Sequence, residues 1–418
     1  MKISEFAKLF GIGVITVRYY VSCGLLLPEV RNKQYRFDDR CVKDMEMILW
    51  LKRFDFSISE IQSILSLMRL SNLTAADDLA DLIRILNQKD LELKEKLSQA
   101  EKNILALEEY IGSMKKEQGA RLSKPSQQGV PIEMLPMICC PDCQIPLSLR
   151  GADIQSGQVV RAELNCSCGY QALIQNGILV TKGGTISELD SPDLDRKFYK
   201  DLPVSWVTLF QRSFNWMLTQ YKTMDLKGKV IMENHINCYF FLFARLSELD
   251  PNAYYIFTDK YPEMVELFKE LIERQDLGLK ILYIADSTFR YPLKKECVDL
   301  YVDYHSINEH SIFNSSQDIF HIMKPYLRPG ADVLGTYFYF ASNSPSKRKL
   351  LHEYPECAPA NFSFSHFQSA ARECGFVCEQ EEAVGSVTDW GGQNRNFTYH
   401  VKNDPMHLLS YRYSLTDK

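Results

Sequence analysis

The sequence predicts a multidomain chain with three folded parts. The first is an all-α, winged helix-turn-helix domain with a long coiled-coil helix. A small cysteine ribbon follows, and then a doubly wound α/β C-terminal domain. Three observations carry this division. Two short helical stretches, broken at Gly11 and Gly24, open the chain. A seven-residue apolar repeat runs from Leu86 to Met114. Beyond residue 185, apolar runs that end in acids alternate with amphipathic stretches. The boundaries read from these patterns are 1–72, 73–117, a linker over 118–135, 136–184 and 185–418.

At 418 residues the chain has room for two or three domains, and its net charge of −5 advertises no overall affinity for polyanions. Any nucleic-acid site must therefore be a local patch. The longest apolar run, Cys238–Ala244, is far short of a membrane span. The N-terminal MKISEFAKLF carries Glu5 and no long apolar core, so no signal peptide is read and a cytoplasmic protein without a membrane partner is expected. Twelve cysteines in such a chain argue for metal binding or buried thiols rather than a disulfide framework.

Ser4 caps a first helix through Phe10, and Gly11 breaks it. Val14–Ser22 is a second helix, stopped by Gly24, and it is the candidate for the major groove of double-stranded DNA. It offers Thr16, Arg18 and Tyr19; arginine grips phosphate or a guanine edge, and tyrosine hydroxyls bond phosphate. Tyr20 is expected to pack inward. In LLPEVRNKQYRFDD, Pro28, the basic Arg31–Lys33 turn and Tyr35–Arg36 suggest a β-wing that presents cations to the DNA backbone. Through residue 56 there are ten Lys and Arg against seven Asp and Glu, the local basic bias that the whole-chain charge hides. Asp38–Phe54 and Ser57–Met68 read as amphipathic helices, and Ser57 with Glu60 has capping-box spacing.

Thr74 with Asp77 starts the long helix. Leu86, Leu93, Ala100, Leu107 and Met114 hold one heptad position, and Leu97, Ile104 and Ile111 a second. Asp90 interrupts that second row. A narrow apolar seam on a charged helix is a homodimerisation signal, and a helix packed only on its own domain is the competing reading.

The strings ISEFAKLF, VRYY, GLLLP, YRF and FSISEIQSI, in that order, resemble the MerR family of bacterial transcription regulators. The resemblance implies a dimer on a palindromic operator, joined by an antiparallel coiled coil, that distorts promoters with over-long spacers and so acts with RNA polymerase at the promoter. By position, Arg18, Tyr19, Tyr35 and Arg36 match the family's DNA-contacting helix and wing, and Lys33 lies in the wing turn. Val21 departs from the acid usual after the two tyrosines.

Cys140 and Cys143 make one knuckle of the ribbon, and Cys166 and Cys168 the other. Four thiolates from two turns can close a tetrahedral structural zinc site, and the metal supplies folding energy that so short a module lacks. One residue between the second pair is tighter than the usual two, and Cys139 is a spare. Buried free thiols and a redox switch are the competing readings. The pattern, with its ending YQALIQNGILV, resembles the zinc ribbon that precedes certain S-adenosylmethionine-dependent methyltransferases, ribosomal RNA guanine methyltransferases among them.

In the last domain, strands are expected at Lys229–Glu233, Tyr254–Asp259, Lys280–Asp286, Val298–His305 and Asp332–Tyr339. Helices are expected at Cys238–Leu249, Glu263–Arg274 and Phe313–Leu327. A doubly wound parallel sheet binds ligands at the carboxyl ends of its strands, where Glu233, Asp259 and Asp286 fall. The layout resembles a Rossmann-like class I methyltransferase. That resemblance gives Asp259 of TDKYPEM to a cofactor ribose and IADSTFRYPL to the adenine. The first motif departs: MENHINCYFF keeps Glu233 and puts His235, Asn237 and Tyr239 where glycines are wanted. Side chains there fill the space of the methionine moiety, so S-adenosylmethionine and methyl transfer are not expected. GTYFYFASN and Trp390 line an apolar pocket or belong to the core.

The whole reads as a homodimeric regulator whose degenerate methyltransferase-like domain senses a small-molecule effector in the cleft of Glu233, His235, Asn237, Asp259 and Asp286. The rivals are a bifunctional regulator with a working methyltransferase, and a ligand-free architectural regulator.

Overall fold

The computed structural model describes residues 1–121, 128–196, 201–237, 239–313 and 318–416. The chain divides into two compact units, Met1–Ala120 and Arg121–Lys418.

In the first unit, α1 (Ile3–Leu9) and α2 (Val14–Ser22) are separated and ended by Gly11 and Gly24, whose φ values of 64° and 71° belong to the left-handed region that favours glycine. The strands β1 (Glu29–Arg31) and β2 (Gln34–Arg36) pair antiparallel around Asn32 and Lys33. Both turn residues have positive φ, 50° and 62°, the backbone of a tight two-residue hairpin. The wing is held to the chain start by a bond from the Met1 amino group to the Phe37 carbonyl, 2.7 Å. Next come α3 (Asp39–Lys52), α4 (Ile58–Ser71) and α5 (Ala76–Arg121). The capping box forms at the start of α4: Ser57 N donates to Glu60 Oε2 at 2.6 Å, and Glu60 N to Ser57 Oγ at 3.3 Å. Arg69 near the end of α4 donates to the Gly24 carbonyl at 3.0 Å and to Asp44 at 2.7 Å, clasping the end of the helix-turn-helix. Leu82, Ile85 and Leu86 of α5 pack on a core that includes Phe6, Val17, Phe37, Met45, Ile48 and Ile61. Farther along, Leu97, Ile104, Leu107, Ile111 and Met114 are exposed in the single chain.

In the second unit, twelve strands of the described residues form one sheet. Of the stretch 118–135 read as a linker, residues 122–127 lie outside the described residues; β3 (Val130–Pro131) joins the sheet, and a 3-10 helix covers Ile132–Met137. The ribbon is β4 (Ser148–Gln155), β5 (Gln158–Asn165), β6 (Gln171–Gln175) and β7 (Ile178–Thr181), all antiparallel. The doubly wound part follows as α6 (Val204–Tyr221), β8 (Val230–Asn234), β9 (Tyr254–Asp259), α7 (Pro262–Glu273), β10 (Lys280–Ala285), β11 (Val298–Tyr304), α8 (Ser306–Phe313), α9 (Ile319–Met323), β12 (Leu327–Tyr339), α10 (Pro345–Glu353), α11 (Phe364–Glu373), β13 (Phe376–Val387) and β14 (Met406–Leu415).

The strand order is β13-β14-β12-β11-β8-β9-β10-β7-β6-β5-β3. From β12 to β7 every neighbouring pair is parallel, and β14 runs antiparallel between β12 and β13. The chain winds outward from β8 through β9 to β10, then returns to β11 on the other side. That is the doubly wound α/β arrangement the sequence predicts, with its switch point between β8 and β11. The ribbon is not a separate bead: Tyr283, Ile284 and Ala285 of β10 pair in parallel with Ile178, Leu179 and Val180 of β7.

Two expected helices do not form as read. Cys238–Leu249 is apolar enough for a helix, yet residues 239–242 are irregular and only Phe243–Glu248 coils, as a 3-10 helix. The Glu233 carboxylate takes the Phe241 and Leu242 backbone N–H groups that a helix would have used. The expected helix Phe313–Leu327 is two pieces: α8 reaches Phe313, residues 314–317 lie outside the described residues, and Asp318 caps a new helix by accepting from His321 N at 3.1 Å.

Candidate functional site

Three places carry chemistry: the helix and wing of the first unit, the cysteine knuckles, and the carboxyl ends of the central strands.

On α2, Arg18 and Tyr19 are exposed, Thr16 is half-buried, and Tyr20 is packed in the core at 8% exposure. On the wing, Lys33 and Tyr35 are exposed and Arg36 is half-buried. Arg36 also makes a β-bridge with Lys2. Basic and hydrogen-bonding groups on a helix and an adjoining hairpin are what phosphate and base-edge contacts require.

The four cysteines of the ribbon come together. Their sulfurs lie within 4.8 Å of one another, with Cys140 3.4 Å from Cys168 and Cys143 3.3 Å from Cys166. A tetrahedral ion with bonds near 2.3 Å needs sulfurs about 3.8 Å apart, so the donor set fits zinc. Each pair sits in a turn finished by a residue with positive φ, Gln144 (60°) and Gly169 (99°). Gln144 N donates to the Cys140 carbonyl at 2.9 Å, and Gly169 N to the Cys166 carbonyl at 3.1 Å. A glycine after the second pair allows its tighter spacing. Cys139 is not part of the cluster. The first knuckle also grips the chain after the expected adenine segment: Lys294 N donates to the Met137 carbonyl at 2.7 Å, and Lys295 N to Gln144 Oε1 at 2.9 Å. Arg290 pairs with Asp142.

At the strand ends, the acids the sequence singles out are engaged by the protein itself. Glu233 accepts from Phe241 N (2.6 Å) and Leu242 N (2.9 Å). Burial pushes its carboxyl up to about 8, against those two bonds. Asp259 accepts from Asn237 N (2.9 Å) and Tyr261 N (3.0 Å). Burial first, then the Glu309 charge, raise it to about 7. Asp286 accepts from Thr288 N at 2.8 Å and from the Thr181 hydroxyl of β7 at 2.5 Å. His235 holds φ +53° where a glycine would be unstrained. Its ring is buried against Phe289 and His310, and neither ring nitrogen has a partner among the described residues. Burial keeps it well below the ordinary histidine range, and so neutral. The Asn237 side chain accepts from Asp193 N at 2.8 Å. Asn237, Phe241 and Leu242 thus turn their backbone amides onto Asp259 and Glu233, using the groups that would otherwise meet a ligand.

The structure adds a cluster that no local pattern announced. Lys260 pairs with Asp190 and, at 3.3 Å, with Glu309. Burial would lower its pKa, but the Glu309, Asp190 and Asp259 carboxylates outweigh it and keep the ammonium charged. Two cavities flank this cluster. One, of about 470 Å³, is lined by Lys260, Ser287, Thr288, Phe289 and Arg290 among others. The other, of about 180 Å³, is lined by Glu309, His305, Phe338 and several further rings. Asp190 borders both. Phe338 puts part of GTYFYFASN on a cavity wall, whereas Trp390 is exposed.

The MerR HTH family of regulatory proteins matches residues 1–67. The HTH-type transcriptional regulator CueR of Vibrio cholerae is 32% identical over 122 residues, which are 29% of this chain and 85% of that protein. Solved structures similar to this one include phosphoethanolamine N-methyltransferase 2 of Haemonchus contortus, at 13% identity and TM-score 0.39 over 56% of this chain. The likeness spans 61% of that enzyme's length. Geranyl diphosphate C-methyltransferase of Streptomyces coelicolor A3(2) is 9% identical, with TM-score 0.39, over 56% of this chain and 85% of that one.

Proposed function

The chain belongs to the MerR family of helix-turn-helix regulatory proteins, and on that premise we propose that it is a dimeric, DNA-binding transcription regulator whose C-terminal unit senses a small molecule. Arg18 and Tyr19 of α2, with Thr16 at the helix face, read the operator. Lys33, Tyr35 and Arg36 of the wing hold its backbone. The exposed seam of Leu97, Ile104, Leu107 and Ile111 supports a coiled-coil pairing of two α5 helices, because so long a row of apolar side chains gains by leaving water. A two-fold dimer meets a palindromic operator, where RNA polymerase is the further partner. Cys140, Cys143, Cys166 and Cys168 hold a structural zinc whose contribution is folding energy.

The observation that carries the sensing reading is the engagement of Glu233 and Asp259 by the backbone amides of Asn237, Phe241, Leu242 and Tyr261. Both carboxylates are also buried, so a cofactor ribose or amino group would have to move the backbone that covers them to reach them. The domain is therefore read as a receptor on a methyltransferase-like scaffold, acting where no membrane is needed, in the cytoplasm. A ligand acts on DNA through it only if it binds two arrangements of the chain with different affinity. A rival reading, a regulator that is also a working methyltransferase, draws on the open 470 Å³ cavity beside Thr288–Arg290.

Transcription from the operator in cells tests the proposal. Removing residues 121–418 should leave operator binding and abolish the response to effector. An intact response without that unit would overturn the sensing role.

A further inference from the structure

The smaller cavity has walls of a particular kind. Rings of Tyr239, His305, Phe338, Tyr354, Phe397 and Tyr399 line it at the carboxyl ends of β11 and β12. They already pack on one another, Tyr239 on His305 at 4.7 Å, Phe338 on Phe397 at 5.9 Å and Phe397 on Tyr399 at 6.0 Å between centroids. The carboxylates of Asp190 and Glu309 line the same cavity, with side chains only 6% and 12% exposed. Lys260 is shared among these two and Asp259, so its single positive charge faces three acids. The Glu309 bonds to Lys260 and Asn237 both use Oε1, and Oε2 takes part in neither. A buried excess of carboxylate is costly; burial pushes the carboxyls of Asp259 and Glu309 up toward the protonated form, and a cation that joins them relieves the same cost without the proton. Aromatic faces favour that cation too.

We propose that this cavity binds a small planar aromatic cation, stacked on the rings with its charge against Glu309 and Asp190. The proposal rests on the reading of the C-terminal unit as a receptor and narrows its ligand class. The space suits a small ligand: a cavity of about 150 Å³ holds benzene, and 180 Å³ takes one ring with a short charged substituent. His305 completes the site. Its Nδ1 is 3.2 Å from Thr336 Oγ1, Nε2 has no partner among the described residues, and burial keeps the ring neutral, so it does not repel a cation.

Calorimetry on the full chain with benzamidine, its neutral isostere benzamide and the anion benzoate tests the proposal. Benzamidine should bind once per chain. Benzamide should bind on the order of tenfold more weakly, and benzoate not at all. Glu309→Gln should erase the preference for benzamidine. If that variant does not fold, Phe397→Leu, which leaves the carboxylates in place, should still weaken benzamidine about tenfold at an unchanged melting temperature. Equal affinity for benzamidine and benzamide, or no benzamidine binding at millimolar concentration, overturns the proposal. The same sample is tested for operator binding. Uptake of DNA without benzamidine sinks the pocket and spares the regulator, and uptake of benzamidine without DNA does the opposite.

Discussion

Lys89 is where the long helix is locked to the reader, and Lys89→Met removes the lock while keeping most of the stem. The ammonium is 2.7 Å from Glu60 Oε1 and 2.8 Å from Glu92 Oε2, and it lies 4.8 Å over the Phe56 ring. The lysine side chain is 10% exposed and that of Glu60 is 37% exposed, so the pair lies between a surface ion pair and a buried one. An exposed pair is worth up to about 1 kcal/mol and a charge-assisted hydrogen bond roughly 1.5–3. The Glu60 contact is then worth about 1–2 kcal/mol, the exposed Glu92 contact about 0.3, and the ring about 0.5. Losing all three costs about 2 kcal/mol, roughly thirtyfold in the opening equilibrium between α5 and α4. Hydrogen exchange over Ile58–Ser71 and the first turns of α5 reads that opening, and full-chain equilibrium unfolding reads the energy. Acid supplies an internal check. The Lys89 ammonium first, then Ser57, hold the Glu60 carboxyl down at about 2, from 4.5. A depressed folded-state pKa gives stability that is complete above 4.5 and lost as pH falls toward 2. The deficit of Lys89→Met should therefore be full at neutral pH and shrink through that window. A deficit under about 0.5 kcal/mol at neutral pH, or one that does not shrink in acid, refutes the reasoning.

Arg18→Ala with Arg36→Ala should weaken operator binding and lower the slope of log affinity against log salt by about 2, one for each lost phosphate contact, as read by titration at several ionic strengths. Unchanged slopes would remove both residues from the interface. Metal analysis of the purified protein should find close to one zinc per chain. Chelation should speed hydrogen exchange at 290–295 as well as in the knuckles, because Met137 and Gln144 hold that segment. Calorimetry with S-adenosylmethionine should show no saturable heat; micromolar binding would restore the bifunctional enzyme.

The parts legible in the sequence were those written in local signals. Gly11 and Gly24 mark conformations that side chains resist, and Ser57 with Glu60 is a complete cap within four residues. The strands β8, β9 and β10 were readable because Glu233, Asp259 and Asp286 close their apolar runs, although β8 continues to Asn234 and β10 stops at Ala285. The helix expected over Cys238–Leu249 was not refused by anything within it. The competing partner, Glu233, lies outside the stretch, and a carboxylate facing two amides outweighs a weak local preference. Lys260 with Asp190 and Glu309 was invisible for a related reason. Positions 190, 260 and 309 share no period and meet only when the sheet is wound. The parallel pairing of β7 with β10 is equally non-local; the ribbon alone reads as a free-standing hairpin module.

That pairing limits where a change of state can reside in the C-terminal unit. From β13 to β3 the strands form one hydrogen-bonded sheet, ribbon included, and close-packed cores are not continuously deformable. A ligand must act on an element the sheet does not hold. The segment after β7 meets that condition. Beyond Thr181, residues 182–187 adopt no regular structure, and the chain as far as Asp193 is tied to the strand ends by polar groups. Gly184 N donates to Ser287 Oγ at 2.6 Å, Asp190 pairs with Lys260, and Asp193 N donates to Asn237 Oδ1 at 2.8 Å. Asp190 borders both cavities, so an occupant of either one competes for the charge that holds this segment down. A cation beside Glu309 would shift the balance among Lys260, Asp190 and Asp259 without moving a strand. If the unit senses a ligand as proposed, the ion cluster is where binding would have to distinguish two arrangements, with the sheet beneath it as the rigid frame.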